Sequence, residues 1–210
     1  KEEFSISDLL ENIIGQFTVR CQQERIKMML IDREEAWIME LIGKGPEDKG
    51  IVWVARRIPD GYVSAHANQA RIRKFDMKDK ENVRYSKDVI KFARKMGYFD
   101  GKDEDFDFAA AYCPADFGAL RYCDARVWSF FNMFGAEDMT KYIAWASGDA
   151  TAEPMPLYMK PKAPVSLQDM QRGMRDHYEG TPFDVTTDLG AGLSSPVILI
   201  SINSFAIFLY

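Results

Sequence analysis

At 210 residues the chain can bury one substantial core or two small ones. Hydrophobic residues at 47% and charged residues at 28% are an ordinary globular balance, with no low-complexity linker and no internal repeat. A net charge of −5 leaves no basic footprint, which argues against nucleic acid as a partner.

In chain order, Ser5 can cap a short helix reaching to about Gly15, with Leu9, Leu10, Ile13 and Ile14 on its apolar side. Residues 16–25 are charged and carry no periodic pattern. Residues 26–31 read as a strand, and Asp32-Arg33-Glu34 turns into residues 36–42, apolar and β-prone apart from Glu40. A polar turn over residues 43–50 holds three glycines and a proline, and an apolar run at 51–55 follows it. Pro59-Asp60-Gly61 makes another turn before a strand at 62–65. Alternating apolar runs broken by Gly/Pro turns predict antiparallel pairing. Ser64, His66, Asn68, Gln69 and Arg71 then fall within eight residues. So many hydrogen-bonding groups at a strand end point to a site rather than to packing.

Residues 76–84 read as a charged loop, and Ser86 as the N-cap of a helix with Val89, Ile90, Ala93 and Met96 at helical spacing and Gly97 as its stop. Five acids between Asp100 and Asp107 lack the Gly and terminal Glu of a calcium-binding EF-hand loop, so a solvated acidic loop is expected. A second helix is predicted over 120–134, with Val127, Phe130, Phe131 and Phe134 on its apolar face and Arg121, Asp124 and Arg126 on others. Residues 139–146 form one more. Four prolines keep 153–165 extended. Ser166 and Asp169 then form a capping box opening a helix with Leu167, Met170, Met174 and Tyr178 on one side, ended by Gly180 and Pro182. From Val197 the chain carries no charge over 14 positions, short of the ~18–20 residues of a membrane-spanning helix. Cys21, Cys113 and Cys123 form no CxxC pair, and two histidines leave little for zinc. They read as reduced, partly buried thiols.

The segments EAWIMELIGKG and VWVARRIPDGYVSAHANQARI resemble the cysteine dipeptidases related to dipeptidase A and secernin, in the N-terminal nucleophile hydrolase superfamily. RYSKDVIKFARKMGYFDG, DFGALRYCDARVWSFFN and MRDHYEGTPFD follow in that family's order, so the resemblance runs over roughly residues 32–192. It implies an α+β fold: part of an αββα sandwich with antiparallel sheets, a partial dipeptidase domain over 1–192 and an apolar tail, unlike the family, over 193–210. It also implies hydrolysis of a dipeptide by an amino-terminal cysteine, whose thiol attacks the amide carbonyl while its own α-amine, with a pKa near ~8, takes the proton. That cysteine lies well upstream of the segment resembling residues 36–75. Cys21 is followed by Gln22, Gln23 and Glu24 rather than small hydroxyl residues, so the nucleophile is expected to be absent from an internal fragment that is inactive alone. A triad of Cys113 or Cys123 with a histidine has no supporting spacing.

The resemblance makes Asn68 the candidate oxyanion donor, with turn former as its other reading. His66 and Arg71 are candidate binders of the substrate carboxylate or supports for Asn68, and His66 is equally readable as structural. His177 reads as structural or as a partner of a helix dipole. No cofactor, metal, nucleic acid or membrane is called for, and homo-oligomerisation is left open. So is location, leaning to the cytoplasm. Two other functions stay open: a non-catalytic remnant that binds or regulates, and an acylase or amidase of the same superfamily.

Overall fold

The computed structural model of the chain describes residues 25–31, 35–186 and 206–208, the first and last by their backbone alone. The helix expected near the amino terminus, Cys21, the Asp32-Arg33-Glu34 turn and most of the apolar tail lie outside the described residues. The fold is α+β with antiparallel sheets. Its strands are β1 (Arg25–Ile31), β2 (Ala36–Gly43), β3 (Ile51–Ile58), β4 (Val63–His66), β5 (Val83–Tyr85), β6 (Tyr158–Met159) and β7 (Ala206–Phe208). They form one sheet in the order β1-β2-β3-β5 and another in the order β6-β4-β7. The chain divides into two compact units, residues 1–58 with 72–113 and residues 59–71 with 114–210.

In the first unit, β2 and β3 pair from Ala36↔Ile58 to Gly43↔Ile51. The turn between them closes with Lys44 N–H donating to the Gly50 carbonyl at 3.1 Å. Gly50 takes a φ of 108°, which its missing side chain permits. The strand expected over 51–55 runs on through Arg56 and Arg57 to Ile58, because β2 pairs with it as far as Ala36↔Ile58 and β5 flanks it over Val54–Arg56. So the loop expected over 76–84 ends in a strand. Ser86 continues that ladder instead of capping a helix: its N–H donates to the Trp53 carbonyl at 3.0 Å, and its Oγ accepts from Trp53 N–H at 3.2 Å. The helix α1 (Val89–Lys95) starts two residues later, after Asp88, and buries Val89, Ile90, Phe92 and Ala93. The acidic loop is laced with ion pairs, Arg94–Asp103 at 2.6 Å and Lys74–Asp105 at 3.4 Å. Asp107 accepts from Ala110 N–H at 2.8 Å and so caps a short helix, α2 (Phe108–Tyr112), which periodicity does not reveal.

The second unit is built on a longer helical run than 120–134. Asp116 caps α3 (Phe117–Ala119), a π-helical turn spans Leu120–Asp124, and α4 (Ala125–Phe134) follows without a break. Val127, Phe130, Phe131 and Phe134 enter a core with Val63, Ala65, Trp128, Met159 and Phe183. A 3₁₀ turn at Met139–Tyr142 leads into α5 (Ile143–Ala146). The capping box forms, with Ser166 Oγ and Asp169 closing the start of α6 (Leu167–Gly173). That helix stops at Gly173, however, and Tyr178 lies beyond it in a turn, its side chain buried in the same core.

Gly135 follows α4 where a side chain has no room: a Cβ there would lie 2.0 Å from Met159 Sδ and 2.7 Å from the Phe131 carbonyl oxygen. The thioether can swing away, but the helix carbonyl cannot. Gly135→Ala is therefore expected to destabilise the protein by ~1–3 kcal/mol in chemical denaturation. Unchanged stability would mean that the end of α4 can yield.

Candidate functional site

The polar cluster past β4 lies within the second unit and divides sharply by exposure. Ser64, His66, Gln69 and Arg71 are buried, whereas Asn68 is exposed in the bend after the strand. Ser64 Oγ donates to the Leu157 carbonyl and stands 3.2 Å from His66 Nε2. With the hydroxyl proton already placed on a carbonyl, the remaining role of Oγ is to accept, so His66 carries its proton on Nε2.

Arg71 is 5% exposed and points its guanidinium back under the strand. One terminal nitrogen donates to the Ala65 carbonyl at 2.5 Å and the other to the Pro156 carbonyl at 2.6 Å. Asp124 lies 3.9 Å from Arg71 Nε, and the Phe131 ring lies 5.5 Å from the guanidinium carbon. Asp124 in turn accepts from the indole N–H of Trp145 at 2.6 Å. A buried charge requires this much compensation.

The side chain that meets Asn68 comes from α4. Arg126, 3% exposed, donates from one terminal nitrogen to Asn68 Oδ1 at 2.7 Å and from Nε to the Tyr122 carbonyl at 2.9 Å. With Oδ1 so engaged, the Asn68 amide presents its Nδ2 hydrogens outward, and Nδ2 has no partner among the described residues. An exposed side-chain N–H of fixed orientation can donate to an oxygen that becomes anionic.

Ser129, one turn after Arg126, hydrogen-bonds the Asp176 carboxylate, which also accepts from Tyr178 N–H at 3.1 Å. The Tyr178 hydroxyl is pushed up to about 12, chiefly by burial, with Arg126 opposing the rise and Asp176 adding to it.

Asp124 and Arg126, expected on faces other than the apolar one, are both buried. Arg126, Ser129, Asp176 and Tyr178 lie 58 to 110 residues beyond Asn68 in sequence, and of these only Arg126, a charge inside an apolar helix, carries a signal that could have flagged it. His177 lies four residues past the end of α6, beyond the last turn over which that helix's dipole acts, with Nδ1 at 3.5 Å from Glu179. Cys113 is buried in the first unit, and Cys123 is half-buried in the second as a free thiol.

A sequence model of peptidase family C69 matches residues 7–204. The chain is 30% identical over 176 residues to a probable dipeptidase of Salmonella dublin, covering 84% of this chain and 37% of that protein. It is 24% identical over 163 residues to dipeptidase A of Lactobacillus helveticus, covering 78% and 31% respectively. With a dipeptidase of Bifidobacterium longum the identity is 28% over 173 residues, covering 76% and 30%. The chain therefore spans about a third of the length of these curated relatives.

Two outcomes are expected from the buried groups. Arg71→Met leaves the Asp124 charge uncompensated and two carbonyls without their donor, so stability should fall by ~3–5 kcal/mol in a denaturant titration. A loss below ~1 kcal/mol would show that the guanidinium is dispensable there. Tyr178 has a folded pKa above its unfolded value of ~10, so its contribution is complete below pH ~10 and is lost as pH rises through about 12. Denaturation midpoints should therefore decline less steeply over that window in Tyr178→Phe than in the parent, and equal slopes would contradict the assignment.

Proposed function

This chain belongs to peptidase family C69, and on that premise we propose that it is part of a dipeptidase. The names of its relatives support the substrate class, a dipeptide. The proposed nucleophile is an amino-terminal cysteine upstream of residues 36–75, as the resemblance of the hairpin segments implies. Its thiol adds to the peptide carbonyl while its α-amine accepts the thiol proton. The tetrahedral intermediate carries its negative charge on the former carbonyl oxygen. Collapse breaks the C–N bond, the departing amine takes the proton, and water then hydrolyses the thioester.

Asn68 is the proposed donor to that oxyanion. The observation that carries this role is the hydrogen bond from Arg126 to Asn68 Oδ1, which turns the amide so that Nδ2 faces outward at the end of β4. His66 and Arg71 serve this arrangement from behind: both are buried, and both hold the strand end from which Asn68 projects.

The test is dipeptide hydrolysis by the protein in which this chain follows the cysteine, with melting temperature measured alongside. Asn68→Ala should lower kcat by ~10²–10³ and change KM far less, because the lost hydrogen bond matters mainly in the transition state. Asn68→Asp should be at least as harmful, since it puts negative charge where negative charge develops. Undiminished turnover in the alanine variant would remove Asn68 from the mechanism. Hydrolysis of acyl amides in place of dipeptides would overturn the substrate class.

A further inference from the structure

We infer that Arg126 is the positioning residue that fixes which end of the Asn68 amide faces the reacting oxygen; the inference rests on the oxyanion-donor reading of Asn68. The two ends of an asparagine amide have opposite hydrogen-bonding character and nearly the same shape. A rotation of 180° about the last side-chain bond would present Oδ1 instead of Nδ2, and an acceptor beside a developing oxyanion repels it. Asn68 is exposed in a bend, where neither packing nor a regular strand decides between the two orientations. Among the described residues its one hydrogen-bond partner is Arg126, at 2.7 Å.

Arg126 suits this task because it has no acceptor of its own, so only Oδ1 can face it. Its charge makes the bond stronger than one from a neutral donor. It also withdraws electron density from the amide, which makes the Nδ2 hydrogens better donors. The guanidinium is itself held. It is buried against the second unit's core, and its Nε is anchored to the Tyr122 carbonyl at 2.9 Å, inside the π-helical turn that immediately precedes it. π-helical turns recur at functional sites because they shift the phase of the helix that follows. Here the helix that follows carries Arg126 at its second position.

A double-mutant cycle on the complete enzyme tests the inference. Arg126→Met should lower kcat toward the loss seen in Asn68→Ala, up to ~10²-fold, with KM little changed. Arg126→Lys, which keeps the charge and a donor, should recover part of that loss. In the Asn68→Ala background, adding Arg126→Met should change kcat by less than about twofold, because the arginine then has no amide to orient. Full additivity of the two losses would overturn the inference and leave the Asn68 reading standing, whereas a normal kcat in Asn68→Ala alone would remove that reading first. If neither Arg126 variant folds, nitrogen-15 relaxation of the Asn68 side-chain amide in the unaltered protein decides instead. An order parameter near ~0.85, like that of rigid backbone, supports the inference, and one below ~0.6 contradicts it.

Discussion

The second unit depends on one buried cation. Arg71 leaves the chain a few residues past β4, folds back beneath it, and donates to carbonyls at Ala65 and Pro156. These groups belong to short segments. β4 has four residues and β6 has two, and two-residue pairing is far too weak to hold a register alone. The guanidinium supplies what the ladder lacks, a fork of directed donors joining both segments. Asp124 sits 3.9 Å away and balances the charge. Removing either ion alone would leave the other in an apolar interior, so cation, anion and strand end stand or fall together.

This constraint explains why the polar residues past β4 are so unequal. Chain polarity there suggests a surface loop, yet Ser64, His66, Gln69 and Arg71 all face inward. Ser64 and Arg71 bond the carbonyls of Leu157 and Pro156 on a neighbouring segment, and these bonds supplement a short backbone ladder. Asn68 is the exception, exposed in the bend but held through its side-chain oxygen by the buried Arg126. An amide without a partner would have no defined direction; one whose oxygen is held by a buried guanidinium has one.

The strands were legible where chemistry marks their ends. Gly43, Gly45, Pro46 and Gly50 delimit β2 and β3, and Pro59-Asp60-Gly61 precedes β4, so these elements follow from local rules. β5 was not legible, because Val83-Arg84-Tyr85 is too short for alternation to register and exists only through pairing with β3. Ser86 illustrates the same competition. Its side chain suits a helix N-cap, but Trp53 N–H needs an acceptor, and the ladder takes the hydroxyl. In the site, Asn68, His66 and Arg71 were visible as a cluster within a few positions. Their partners were not. Asp124 and Arg126 resemble any charged pair on a helix, and burial, which gives them their role, is a property of the assembled core.

Tyr178 shows how far the core goes to hold this arrangement. It is the only non-glycine residue with a positive φ, 64°, among the described residues, a conformation that costs of order 1 kcal/mol or more for a bulky side chain. Past the end of α6, the bend at Tyr178 lets two nearby residues do different things. Asp176 reaches Ser129 on α4, while the Tyr178 ring packs into the core within electrostatic reach of Arg126. Thr181 locks the bend with both its N–H and its hydroxyl on the Tyr178 carbonyl, at 3.1 and 2.7 Å. A glycine at 178 would relieve the backbone but lose the buried ring, and a helical continuation would carry Asp176 away from Ser129. The strained residue is tolerated because one bend serves both the packing around Arg126 and the polar bridge one turn further along the same helix.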